Sequence, residues 1–253
     1  MKKLTTKQAG FSLVEIAIVL VIIGLMTVGG ANLISMKREQ ALYAESDIAL
    51  KQTKQAMLTY VVVNGHLPCP DTNDDGNEDR GTFQCSGDSG AVPYLTIGLN
   101  LANVKDPWGS VLRYNVNTNA DVLASVNDNT SSASYFNANP VIPAGEKLHF
   151  RLNTPPSATV AGANNLMIED GNGNNIASNQ IAVLVAYNSN GLRTLNSCAS
   201  TDVQEQENCD GDRIFNSVPH RLQDVSFFDD TVISISANEI KSAILRNNPQ
   251  GID

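Results

Sequence analysis

Acidic and amide side chains alternate in the stretch CPDTNDDGNEDRGT, which begins at Cys69. Asp71, Asn73 and Asp75 fall at the first, third and fifth places of a calcium loop. Gly76 takes the sixth place, Asn77 the seventh, where its carbonyl would serve, and Asp79 the ninth. Hard cations need several oxygens at alternate positions, and a glycine lets the chain turn sharply between them. The pattern departs at the last place, where Thr82 stands instead of a bidentate glutamate. Asp88 is the next carboxylate that could complete the shell. The competing reading is a solvated acidic turn closed by a disulfide. Calcium is the one cofactor the sequence leads us to expect.

The four cysteines are Cys69, Cys85, Cys198 and Cys209, with no Cys-x-x-Cys among them, so zinc-ribbon spacing is absent. In an exported domain they read as two disulfides. Three connectivities are open, and the short loops favour Cys69–Cys85 and Cys198–Cys209. CSGDSGAVP, from Cys85, is similar to the nucleophile motif of trypsin-like proteases, with Ser89 as the nucleophile. Such enzymes place a histidine and an aspartate upstream, in a barrel. Here the upstream histidine is His66, and a helical pattern rather than a barrel precedes Ser89. No enzymatic role is expected. His149 and His220 stand alone and read as packed or surface residues. The net charge of −9 disfavours general nucleic-acid binding.

Glu15 is the other residue whose position asks for chemistry. It is the one ionisable group in the 18 residues from Phe11 to Val28. A helix of that length rises roughly 27 Å, close to a bilayer's hydrocarbon core. A carboxylate within a membrane helix costs about 2.5–3.5 kcal/mol on insertion scales and is usually functional. Neither a secretory signal peptide nor a plain anchor gains from it. The preceding residues carry Lys2, Lys3 and Lys7 and no acid.

GFSLVEIAIVLVIIG, from Gly10 to Gly24, resembles the prepilin signature of type IV pilins and type II secretion pseudopilins. The resemblance implies cleavage between Gly10 and Phe11 by a prepilin peptidase, which also N-methylates Phe11. It implies a subunit held first in the bacterial inner membrane by a single pass, with its C-terminal domain periplasmic. The subunit would then join others of its kind in a periplasmic or cell-surface filament. Glu15 would pair with the Phe11 amine of a neighbouring subunit, since a buried carboxylate is tolerable once a cation neutralises it. Loss of the three leader lysines takes the charge from −9 to −12. The length favours a minor pilin or minor pseudopilin. Retention of Glu15 sets the chain apart from the pseudopilin that tips the filament. A filament-borne adhesin or a DNA-uptake minor pilin is the alternative. Major pseudopilins order a loop with calcium, which by analogy supports the Asp71–Asp79 reading.

The elements that position these residues follow from periodicity. We expect a cleaved leader over 1–10, a transmembrane and filament-core helix over 11–30, an amphipathic helix over 31–64, and a disulfide-stapled, loop-rich β-containing domain over 65–253. Ile34, Ala41, Leu42, Ile48, Ala49, Ala56 and Tyr60 are expected to share the packed face of the second helix. Together the two segments make one helix of about 50 residues, with Gly24, Gly29 and Gly30 as the weak points of its membrane half. Gly65 and Pro68 end it. Strands are expected at Val111–Val116, Val122–Val126, Lys147–Leu152, Ile181–Tyr187 and Val232–Ser236. Ser236 and Glu239 form a capping box that opens a short last helix. NTNAD, NDNTSSAS and EDGNGNN read as loops. DPWG, from Asp106 to Gly109, also resembles pseudopilins, as a turn whose Trp108 anchors the core. The fold class is α+β, with the long helix packed on an antiparallel sheet.

Overall fold

The computed structural model describes residues 10, 12–82, 84–118, 131–138, 152–157, 165–191, 198, 202–222 and 227–247, with side chains throughout except over 26–36. Helix α1 spans Leu13–Asn64. It runs unbroken through Gly24, Gly29 and Gly30. Ser12 begins it with a capping box. The Ser12 amide donates to Glu15 Oε2 at 2.8 Å, and the Glu15 amide donates to Ser12 Oγ at 3.2 Å. Gly65 ends it with φ 75° and an amide bonded to the Val61 carbonyl at 2.8 Å, as a left-handed cap should.

The chain divides into two compact units, Met1–Leu42 and Tyr43–Asp253, so α1 contributes to both. In the first unit the side chains described from Leu13 to Leu25 are all exposed. Among the described residues no helix is long and apolar enough to cross a membrane.

In the second unit α1 packs through Tyr43, Ser46, Leu50, Thr53, Met57 and Val61. Their spacing of three and four residues is helical, and the face overlaps the expected one only in part: Ala49 is buried in the core, Leu42, Ala56 and Tyr60 are half-buried, and Ala41 and Ile48 are exposed. Ile48 is 53 % exposed. Ser46 and Thr53 take buried positions that a count of apolar residues assigns to the surface. Ser46 Oγ donates to Asn188 Oδ1 at 2.6 Å, which satisfies its hydroxyl inside the domain.

Six strands form one sheet among the described residues: β1 Ser89–Ala91, β2 Arg113–Val116, β3 Leu166–Glu169, β4 Asn175–Ala186, β5 Ile214–Asn216 and β6 Thr231–Ser236. β4 is the organiser. It pairs antiparallel with β2, β3 and β6, and β1 extends β2. β5 lies parallel to β3. The sheet is therefore mixed rather than antiparallel. Residues 187–213 separate β4 from β5, long enough for a crossover. Short helix α2, Val203–Glu207, falls within that connection, and α3, Ala237–Asn247, follows β6 directly.

The apolar run of β4 explains its centrality. Ala182, Leu184 and Ala186 face a core with Leu50, Met57 and Val61 of α1 and Ile240 and Ile244 of α3. Val183, Val185 and Tyr187 face a smaller cluster with Leu166, Ile168 and Phe215. Over Ile181–Ala186 both faces are covered, so that half of the strand is continuously hydrophobic. Of the expected strands, 122–126 and 147–151 lie outside the described residues, and Leu152 sits in a turn. EDGNGNN is the connection from β3 to β4, closed by the Asp170 amide on the Asn174 carbonyl at 2.9 Å. NDNTSSAS runs into a buried 3-10 turn, Ser132–Phe136, rather than remaining loop.

Candidate functional site

The Cys69–Cys85 disulfide closes the acidic loop. Within it the carboxylates turn inward on the backbone. Asp71 is buried, and its Oδ2 accepts from the Gly76 amide at 2.6 Å while Oδ1 accepts from the Asn73 and Asp75 amides. Asp75 Oδ1 accepts from the Asn77 amide at 2.8 Å. Asp79 Oδ2 accepts from the Thr72 amide and hydroxyl, and these bonds hold its carboxyl below the usual range. Gly76 has φ 89°, and a Cβ there would meet the Tyr94 ring at 2.5 Å. The sharp turn therefore requires glycine for two reasons. Asp88, the residue that could complete a shell, accepts instead from the Thr118 hydroxyl.

Glu78 and Arg80 tie this loop to the domain. Glu78 Oε2 accepts from the Cys69 amide at 2.8 Å and pairs with Arg80 Nη2 at 2.7 Å. Arg80 also donates to the carbonyls of Leu67 and Phe136. His66 lies beside Tyr60 with ring centroids 5.6 Å apart, and burial followed by the Arg80 charge pushes its pKa down. Ser89 is exposed at the start of β1, facing Asn115 in the register.

DPWG is a turn locked by Asp106. Its buried carboxylate Oδ1 accepts from the Trp108 and Ser110 amides at 3.0 and 2.9 Å, and burial raises its pKa. Trp108 is half-buried against Tyr43 of α1, centroids 5.0 Å apart. His220 lies on the other contact of Tyr43 at 4.2 Å. Packing thus accounts for His220; His149 lies outside the described residues.

Carboxylates converge elsewhere. Among the described residues, two groups bring three acidic oxygens within 4.8 Å of one another: Glu205, Asp229 and Asp230, all buried, and Glu207, Asp210 and Asp212, mostly exposed. The first group sits where β4 ends and β6 begins, with α2 supplying Glu205. Ser189 donates to Asp229 Oδ2 through its amide at 2.8 Å and through its hydroxyl. Asn208 Nδ2 donates to Asp230 Oδ2 at 2.8 Å. Glu205 Oε2 accepts from Asn190 Nδ2 at 2.7 Å, and Oε1 accepts from the Asp229 amide at 3.2 Å. Burial pushes the Asp229 carboxyl up to about 7 and that of Asp230 well above the ordinary range, and the neighbouring Glu205 adds to both. The Cys198–Cys209 disulfide staples the chain just beyond α2.

Sequence reasoning passed over these three residues because they are scattered over 205–230. The available signal was a pair of acids in FFDDTV, set between aromatic residues and a strand. At the other end of the chain, Gly10 is exposed, Phe11 lies outside the described residues, and Glu15 is exposed in its capping box. No curated protein and no solved structure matches the chain. Residues 5–31 match the family model described as the prokaryotic N-terminal methylation motif, the signature of type IV pilins and pseudopilins.

Proposed function

We propose that the chain is the precursor of a minor pilin or minor pseudopilin, with a structural role rather than an enzymatic one. A prepilin peptidase cuts it between Gly10 and Phe11 and methylates the new amine. Residues 11–30 hold the subunit in the inner membrane, then become part of a filament core. Glu15 neutralises the Phe11 amine of a neighbour there. The observation that carries this reading is the methylation motif over 5–31, which spans Gly10, Phe11 and Glu15. Two further features support it. The apolar side chains from Leu13 to Leu25 are exposed and await a covering surface, lipid or protein. Two disulfides fit an oxidising compartment such as the periplasm.

The test is the mass of the mature N-terminus, measured with and without the peptidase. The expected product starts at Phe11 and carries one added methyl group. Gly10→Val leaves the leader attached and keeps the subunit out of filaments. A product cut after the apolar run, near Gly30, would make the segment a signal peptide and overturn the proposal.

A further inference from the structure

We propose that Glu205, Asp229 and Asp230 form a binding site for a hard divalent cation of the calcium or magnesium class. One oxygen from each residue lies within 4.8 Å of one from each of the others. That span suits ligands around a calcium ion at about 2.3–2.6 Å. The donors are oxygens alone, and a cluster with no nitrogen or sulfur selects against zinc and the softer metals.

A cluster of acids is common on protein surfaces, but this one is enclosed. Asp229 is 0 % and Asp230 3 % exposed, and Glu205 is 2 % exposed. The second observation concerns hydrogen bonding. Asp229 Oδ1 and Asp230 Oδ1 are buried without a hydrogen-bond partner. Orphaned carboxylate oxygens at such depth are costly. The partner oxygens Asp229 Oδ2 and Asp230 Oδ2 are held by Ser189 and Asn208. Each aspartate is thus oriented by one oxygen; Asp230 Oδ1 is left without a donor, and the Asp229 carboxyl also meets that of Glu205, a carboxylate pair that needs a proton or a cation between its members. This is the arrangement expected of metal ligands steered by their neighbours.

The same residues tie the site to the fold. Asn188, which accepts from Ser46 of α1, donates to the Asp229 carbonyl and to Thr231 Oγ1. Asn208 accepts from the Asn216 amide of β5 at 2.7 Å. A cation here would join α2, β5 and the start of β6 around a single charge. Because the ligands are buried, binding is coupled to folding. A proton is the natural competitor of a cation for such buried carboxylates. The site belongs to the globular unit and stands whether or not the chain enters a filament.

The test uses the full chain in detergent, stripped with a chelator, with calcium alone and magnesium alone as probes at neutral pH. One bound ion per chain is expected. Calcium at about 100 times its dissociation constant should raise the melting temperature by about 5–10 °C. Asp229→Asn with Asp230→Asn should abolish both effects. Asp75→Asn with Asp79→Asn, in the acidic loop, should leave both intact. The loop variant keeps the test decisive if the cluster variant fails to fold: retained binding supports the cluster, and lost binding moves the ion to the loop and overturns the proposal. Absence of bound metal and of any thermal shift with either ion would assign the cluster to protons and also overturn it.

Discussion

Glu15 carries two physical accounts that single substitutions can separate. In the structure it is the far half of a capping box, with Ser12 as its partner. In the proposed filament it is the counter-charge of a methylated amine. The first account needs only an acceptor at the third helical position, whereas the second needs a negative charge. Ser12→Ala removes the cap, at about 0.5–2 kcal/mol of helix stability, and keeps the charge. Glu15→Gln keeps an acceptor and removes the charge. We expect Ser12→Ala to assemble into filaments and Glu15→Gln to be processed but excluded from them, read by immunoblot of sheared filaments. Equal defects in the two would make Glu15 a helix cap and nothing more. The same Ser-x-x-Glu pattern was legible at Ser236 and Glu239, where the Glu239 amide donates to Ser236 Oγ at 3.3 Å. At Ser12 it was overlooked because an acid among apolar residues drew the membrane explanation first.

At the scale of elements, composition located segments better than it located faces. IAVLVAY announced the buried half of β4, since a run of β-branched and small apolar residues has few other uses. Its polar half, Asn175–Gln180, and β3 and β5 were not legible. They are short, and their identity comes from pairing with β4 rather than from their own pattern. α1 was legible as a helix, while its packed face was misjudged by about a third of a turn because Ser46 and Thr53 are buried; Ala49 lies on both faces. The acid cluster stayed hidden for a similar reason: Glu205, Asp229 and Asp230 meet only once β4, α2 and β6 are assembled. The face assignment has a direct test. Leu50→Ala, at a fully buried position, should cost about 2–5 kcal/mol. Ile48→Ala, more than half exposed, should stay within about 0.5 kcal/mol. Urea unfolding of both variants decides it, and a larger loss at Ile48 would restore the face read from the sequence.

For the globular unit as a whole, two short covalent loops do work that regular structure does not. Among the described residues neither encloses a strand, and the second holds one short helix. Cys69–Cys85 closes the acidic loop, and Cys198–Cys209 closes the segment carrying α2. The sequence separations are 16 and 11 residues. On the loop-entropy account each bridge limits the unfolded chain by about 3 kcal/mol, so equal losses are expected if entropy alone acts. The folded surroundings make a further distinction. The first bridge supports Glu78 and Arg80, which reach Cys69, Leu67 and Phe136. The second lies one residue from Asn208, which orients Asp230. Replacing Cys69 and Cys85 by serine should lower the melting temperature by about 6–12 °C and leave any calcium response intact. Replacing Cys198 and Cys209 should cost a similar amount and weaken that response, because Asn208 loses its anchor. Differential scanning calorimetry with and without calcium reads both. If the second pair of substitutions left the calcium shift unchanged, the bridge would be a staple of the chain alone, with no part in holding the three carboxylates together.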